Sequence, residues 1–178
     1  MRLRLIPFCA LLLLFTCLSP LFVSCKNDGD FLSWNKGRIV FIGEYEEDGC
    51  VFRARFSLDG SDKISVEMLS PDGVKGIVYR KNGDSILSEC GGVTLPLSVT
   101  PAAISYALFA LPESPLLESV VKEGAVKTET VRAQNGIYKI RYAATGLPEE
   151  ILCLSESAPK SLYIVSFSSE DTLEKEIP

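Results

Sequence analysis

The side chains of this sequence that could carry out chemistry are carboxylates, cysteines and basic groups, because the chain contains no histidine. Histidine is the usual general base for a serine or cysteine nucleophile and a frequent zinc ligand, so its absence argues against both kinds of site. No G-x-S-x-G, C-x-x-C, P-loop or dinucleotide-binding motif occurs. We therefore expect a protein that is not an enzyme and that uses neither a metal ion nor a cofactor.

Carboxylates stand close together at two places in the sequence. Glu44 and Glu46 belong to an acidic stretch that ends at Asp48, and Glu149 is followed directly by Glu150. Such pairs could act as general acid and base, and three together could hold a cation. Consecutive side chains of an extended chain point in different directions, however, and no further ligand has a fixed spacing to them. The simpler interpretation is a solvated turn at Glu46 to Asp48 and solubilising charges at the two pairs.

Six cysteines are present, and half of them fall within the first 25 residues. The others, Cys50, Cys90 and Cys153, are an odd number spread over a long stretch, so no dense disulfide framework is implied and at most one bridge could join them. Whether any of them are bridged stays open. We favour the interpretation that they are small apolar residues on buried strands.

The N-terminus has the pattern of an export signal. Arg2 and Arg4 precede an apolar stretch that runs through Val23, and Val23 and Ser24 lead to Cys25. This pattern resembles a bacterial lipoprotein signal over residues 1–24, and the resemblance implies that Cys25 becomes the first mature residue and carries the lipid. An uncleaved membrane anchor is the alternative. Either way, we expect the rest of the chain on the extracytoplasmic face of a cell membrane.

The chain beyond this signal is acidic. Loss of Arg2 and Arg4 takes the formal net charge from −5 to −7, and such a charge does not favour binding to nucleic acid. Residues 25–36 are predicted to be a lipidated polar tether. About ten residues reach roughly 30 Å at most when fully extended, so the domain would work close to its membrane. Residues 170–178 form an acidic C-terminal tail.

Alternation of apolar and polar residues predicts that residues 37–169 form a single domain built on an antiparallel sheet. From Cys50 to Gly83 the sequence shows consecutive strands separated by turn residues, the last of them Asn82-Gly83. A pair of glycines, Gly91-Gly92, predicts a kink between two further short strands. Arg38 to Tyr45 is predicted to be a strand that is apolar on both sides near its middle. Each strand of the stretch from Cys50 to Gly83 has one apolar face, and that face has to be covered.

Two short helices are predicted to cover this apolar face. The first would begin at Thr100-Pro101, and the second at Ser114-Pro115 and end near Gly124. With strands on both sides of them, these helices indicate an α+β fold. Their apolar stripes are Ile104, Ala107, Leu108 and Leu111, and then Leu116, Leu117, Val120 and Val121.

One set of large apolar side chains shares the same parity along the predicted strands and first helix. We expect this set to face the concave side of the sheet and to bind an apolar ligand. The set comprises Phe52, Phe56, Ile64, Val66, Tyr79, Leu108, Tyr138, Ile140, Tyr163, Val165 and Phe167.

The order of these elements, with Ser70-Pro71 followed by Gly76-Ile77-Val78-Tyr79 and then by the Gly91-Gly92 kink, resembles the LolA/LolB-like lipoprotein-carrier superfamily. Within it, the chain is similar to short lipoproteins of spore-forming Gram-positive bacteria, some of them tied to germination. The resemblance implies a strongly curved antiparallel sheet, an unclosed barrel, with short helices as a lid. In the Gram-negative carriers the apolar concavity holds acyl chains.

These observations together predict a membrane-anchored extracytoplasmic lipoprotein that acts as a non-enzymatic binding module for an apolar ligand or lipid chain. The alternative is a scaffold that binds and regulates another envelope protein, such as a cell-wall enzyme. A scaffold of this kind would use the outer face or an edge strand of the sheet.

Replacement of Cys25 by alanine tests the predicted lipid anchor. The variant should either leave the membrane fraction or accumulate as an unprocessed precursor, because the residue that accepts the lipid is gone. Membrane fractionation and intact-mass measurement would check this. Unchanged processing and unchanged membrane association would contradict it.

Overall fold

Strands dominate the part of the chain that the computed structural model describes, residues 37–154 and 159–168. The single helix of this part, α1, spans Ala102–Phe109. No helix within these residues is long and apolar enough to cross a membrane. The strands are β1 (Arg38–Glu47), β2 (Cys50–Asp59), β3 (Lys63–Ser70), β4 (Val78–Asn82), β5 (Ser85–Cys90), β6 (Val93–Leu97), β7 (Leu116–Glu123), β8 (Val126–Ala133), β9 (Gly136–Tyr142), β10 (Pro148–Leu154) and β11 (Pro159–Ser168).

The eleven strands form one antiparallel sheet in the order β6-β5-β4-β3-β2-β1-β11-β10-β9-β8-β7. This order joins two meanders, β1 to β6 and β7 to β11, through a central seam in which β1 pairs with β11. Among the described strands, β6 and β7 each have one hydrogen-bonded neighbour. The sheet is therefore open and does not close into a barrel.

Tight turns connect most neighbouring strands, as their sequences predict. Asp48 and Gly49 both have positive φ, 52° and 75°, which matches the right-handed twist of the hairpin that they close. The Asn82-Gly83 turn and the Gly91-Gly92 kink also lie between paired strands, β4 with β5 and β5 with β6. These predictions are confirmed.

The helix α1 lies against the apolar face and shows that the sheet is curved. It contacts β2, β3 and β4, and the ring of Phe109 lies 6.5 Å from the ring of Tyr138 on β9. In a flat sheet, the six strand spacings from β4 to β9 would span about 29 Å. A helix of eight residues is only about 12 Å long. The sheet therefore bends around α1.

The second predicted helix is wrong, because residues 116–123 form the edge strand β7. A segment of only two helical turns is unstable as a helix on its own, even with an apolar stripe. The adjacent β-branched residues Val120 and Val121 also favour an extended backbone. The hairpin turn at Gly124, with φ of 62°, brings the segment into register with β8. The predicted lid is thus reduced to α1, which begins after Pro101 without a side-chain cap.

A bulge in β11 overturns the prediction that Tyr163, Val165 and Phe167 share one face. Ile42 lies opposite Ser166 whereas the next residue, Gly43, lies opposite Ile164, so Val165 is an extra residue in the ladder. Parity reverses across such an insertion. Phe167 therefore faces the core, while Tyr163 lies on the outer face and is 49% exposed.

Alanine substitution at Phe56 tests the packing of the apolar face. Phe56 is fully buried and its ring stacks on that of Phe41 at 4.9 Å, so the change should lower the free energy of unfolding by about 3–5 kcal/mol. The control, Tyr163→Ala on the outer face, should cost less than about 1 kcal/mol. Urea denaturation measures both. Equal losses would contradict the assignment of faces.

Candidate functional site

Cross-strand register builds a row of large apolar side chains across the concave face. Phe41 lies opposite Phe56 on one side and opposite Phe167 on the other. The row continues from Phe56 to Val66 and from Val66 to Tyr79. Alternation along five strands thus places one continuous apolar stripe beneath α1.

A second row runs from Phe52 through Tyr45 towards the opposite edge of the sheet. Tyr45 lies opposite Phe52 and Leu162, with its ring 5.3 Å from that of Phe52. Beyond Leu162 the row continues through Ile151 and Ile140. All three of these aliphatic side chains are fully buried.

Aromatic stacking attaches α1 to this second row. The ring of Tyr106 stacks on that of Tyr45 at 4.3 Å, and its hydroxyl donates a hydrogen bond of 2.7 Å to the carbonyl of Glu46. Phe109 stacks on Tyr106 at 5.5 Å. Burial raises the pKa of Tyr106 to about 12, with a further contribution from the charge of Glu47, so this phenol stays neutral and keeps its proton to donate.

The predicted ligand-binding residues separate into three groups. Phe52, Tyr79, Leu108 and Phe167 are half-buried, and Tyr163 and Val165 are exposed. The third group, Phe56, Ile64, Val66, Tyr138 and Ile140, is at most 3% exposed. Burial this complete is typical of a packed core, so a ligand could reach these side chains only if something covering them moved. Their role in ligand binding stays a prediction.

Sequence analysis missed a polar cluster on the concave face, formed by Lys127, Glu129 and Tyr142. Glu129 is 2% exposed and has the same parity on β8 as the fully buried Val131. Its carboxylate accepts a 2.5 Å hydrogen bond from the hydroxyl of Tyr142 and lies 2.8 Å from the ammonium of Lys127. The alternation of β8 carries the signal, because it places a glutamate where an apolar residue is expected.

Two cavities are lined largely by residues outside the apolar rows. One, of about 320 Å³, is lined mainly by polar side chains on β1 to β4, including Arg38, Lys63 and Arg80. The other, of about 330 Å³, lies beside α1 and is lined by Glu46, Lys160 and others. Each contains only one of the predicted ligand-binding residues, Ile64 in the first and Tyr163 in the second.

The described cysteines are all free, which rules out a disulfide among Cys50, Cys90 and Cys153. Cys153 is buried as predicted, but Cys50 and Cys90 are exposed, because they lie at strand ends beside turns. Within residues 37–154 and 159–168, no group of three histidine, cysteine or acidic side chains could hold a metal ion. Cys25 lies outside the described residues, as do the predicted signal, the tether and the tail.

Comparison with known proteins gives weak likenesses only. No protein-family model and no curated protein matches the chain. Among solved structures, an uncharacterized conserved protein from Thermus thermophilus aligns over 80% of this chain and 86% of its own, with 15% identity and a TM-score of 0.45. A LolA superfamily protein from Nitrosomonas europaea aligns over 76% of this chain and 88% of its own, with 12% identity and a TM-score of 0.39. TM-scores this low do not by themselves assign the chain to a family.

Thiol labelling tests the placement of the cysteines. Cys50 and Cys90 should react quickly with iodoacetamide at about pH 8, whereas Cys153 should react slowly. It is 2% exposed, and burial raises the pKa of its thiol, so less of it is present as the reactive thiolate at this pH. Peptide mass spectrometry measures each site separately. Labelling in denaturant is the control, since unfolding should remove the difference, and equal rates in the folded protein would contradict the buried position.

Proposed function

We propose that this protein is a membrane-anchored extracytoplasmic binding module that takes up an apolar ligand or lipid chain on the concave face of its sheet, beneath α1, and catalyses no reaction. The observation that carries the proposal is the mismatch between this face and its cover. Eleven strands span about 48 Å along the curved sheet, whereas α1 has eight residues and is about 12 Å long.

The helix is also the element best suited to move. A helix of two turns is unstable in isolation and depends on docking, and α1 lacks a side-chain hydrogen bond at its N-cap. It is attached by the burial of Ile104 and small neighbours, by aromatic stacking and by the hydrogen bond from Tyr106 to the Glu46 carbonyl. A short helix without hydrogen-bonded strand neighbours opens at lower free energy than strands such as β2 and β3, which are hydrogen-bonded on both sides.

Displacement of α1 would uncover a contiguous apolar surface. Tyr45 of the second row stacks directly on Tyr106, and the ring of Tyr138 lies 6.5 Å from that of Phe109. Polar groups in this part of the face are few, and the hydroxyl of Tyr45 lies 3.9 Å from the sulfur of Met68. Such a surface suits an aliphatic chain better than a polar metabolite.

Attachment to the membrane through Cys25 belongs to the same proposal. It is supported by the order of Arg2 and Arg4, the apolar stretch and Val23-Ser24-Cys25 in the sequence. Cys25 and Arg38, where β1 begins, are 13 residues apart, a distance of at most about 45 Å when extended. The concave face would thus remain within reach of membrane lipids.

A scaffold for another envelope protein is the second candidate, and the edge strands favour it. Leu95 on β6 is 58% exposed and Leu116 on β7 is 65% exposed. Exposed edges with apolar side chains can accept a strand from a partner. In this function a partner would protect β6 or β7 and leave α1 unchanged.

Hydrogen exchange distinguishes the two functions. The amides of α1 should exchange faster than those of β2 and β3, and a dodecyl-chain detergent should slow them. Tyr106→Phe should speed exchange in α1 about fivefold, because it removes a hydrogen bond worth about 1 kcal/mol. Tyr163→Phe is the matched control on the outer face and should leave the exchange rates of α1 unchanged. Uniform protection that no detergent alters would contradict the proposal.

A further inference from the structure

The buried carboxylate of Glu129 interrupts an otherwise apolar row. In register it lies between Val120 on β7 and Ile140 on β9, and the row continues to Ile151. Among the described residues, Glu129 is the one charged residue that is buried. A buried ion pair stabilises a fold no better than well-packed apolar side chains do, so stability alone does not account for this cluster.

The contacts of Glu129 hold the ammonium of Lys127 in one position. One carboxylate oxygen lies 2.8 Å from this ammonium, and the other accepts the hydrogen bond from Tyr142. The ammonium also lies 4.2 Å from the centroid of the Tyr142 ring. The side chain of Lys127 remains 32% exposed. Since an ammonium has three N–H donors, this arrangement leaves it able to bind a further acceptor from outside.

A second lysine makes this place positively charged. Lys122 on β7 lies directly opposite Lys127 on β8, and therefore on the same face of the sheet. Like charges directly opposite each other in a sheet repel. Two ammonium groups and one carboxylate leave an excess of one positive charge, although the whole chain has a net charge of −5. An anion placed between the lysines would remove the repulsion.

Apolar side chains lead away from this positive end. From Glu129 the row passes through Ile140, Ile151 and Leu162 to Tyr45, all of them on the concave face. These residues belong to five adjacent strands, β8, β9, β10, β11 and β1, which span about 19 Å along the sheet. The face therefore places a cation at one end of an apolar row that runs towards the helix. Ile140, Ile151 and Leu162 are fully buried, so an aliphatic chain can lie along this row only after the part of the structure that covers them is displaced.

We propose that Lys127 and Lys122 form the headgroup site for an anionic single-chain amphiphile, with Glu129 and Tyr142 as positioning residues that hold Lys127 in place. This inference deepens the proposed function and depends on it. The ligand class is a carboxylate or phosphate group on an aliphatic chain. The chain follows the row of Ile140 and Ile151, and the anion accepts hydrogen bonds from the two ammonium groups.

Four amphiphiles of equal chain length test the headgroup: dodecanoate, dodecyl phosphate, dodecanol and dodecyltrimethylammonium. Below their micelle concentrations, titration calorimetry on the full chain should give at least about tenfold tighter binding for the two anions, the preference expected from two cations at one headgroup. Binding of none of the four would contradict the proposed function itself. Binding of all four alike would overturn the anionic site and leave apolar binding in place.

Matched lysine variants locate the site. Lys127→Met and Lys122→Met should each weaken dodecanoate binding about fivefold, as loss of roughly 1 kcal/mol per cation implies, and leave dodecanol binding unchanged. The control, Lys139→Met, removes the same charge from the outer face of β9 and should alter the binding of neither dodecanoate nor dodecanol. Lys127→Met with Glu129→Gln removes the cation without leaving an unpaired buried carboxylate, so it covers the case in which the single variant fails to fold. Equal effects of the Lys127 and Lys139 changes would overturn the proposal.

Discussion

Covering the apolar face of a large open sheet is the constraint on which the rest of this structure depends. Every strand from β1 to β3 carries buried apolar side chains on its concave side, and water must be excluded from them. One helix is the only helical cover within the described residues. Curvature of the sheet provides the rest of the cover, because bending lets side chains from β1 and β9 approach the same helix. The contacts of Tyr106 with Tyr45 and of Phe109 with Tyr138 are the result.

The two faces of the sheet treat charge in different ways. On the outer face, arginine and glutamate pair across neighbouring strands, as Arg55 does with Glu67 at 2.6 Å and Arg80 with Glu89 at 3.0 Å. These groups are substantially exposed, so their pairs contribute little to stability and mainly keep the surface soluble. On the concave face, the carboxylate of Glu129 is buried and pairs with the partly exposed Lys127. An ion pair there is costly to desolvate. For that reason its presence is a stronger indication of a binding role than the presence of the exposed pairs on the outer face.

The sequence predicts the strands well and their covering poorly, for reasons that particular residues make clear. One-sided alternation from Phe52 to Leu58 specifies both a strand and its buried face. The segment Leu116 to Val121 fits a helical stripe and a strand equally, and only its hairpin with β8 decides between them. Val165 shows a different limit. A single inserted residue reverses the face on which the following side chains lie, and the place of the insertion is set by pairing with β1. Glu129 was missed because a glutamate is ordinarily solvated, although the alternation of β8 places it on the same face as the buried Val131.

The central seam has a consequence for how the chain acquires its structure. Val40 and Ser168 are partners across this seam although 128 positions separate them in the sequence. Contacts of such long range form slowly, because the entropy of closing the intervening chain is lost before any gain is made. The two meanders can each form locally, but the edge of β1 that faces away from β2 stays unpaired until β11 has been synthesised. The last described strand, β11, therefore determines when the domain becomes one cooperative unit. A chain that stops before β11 would leave one edge of β1 and one edge of β10 unpaired, and such edges are prone to aggregate.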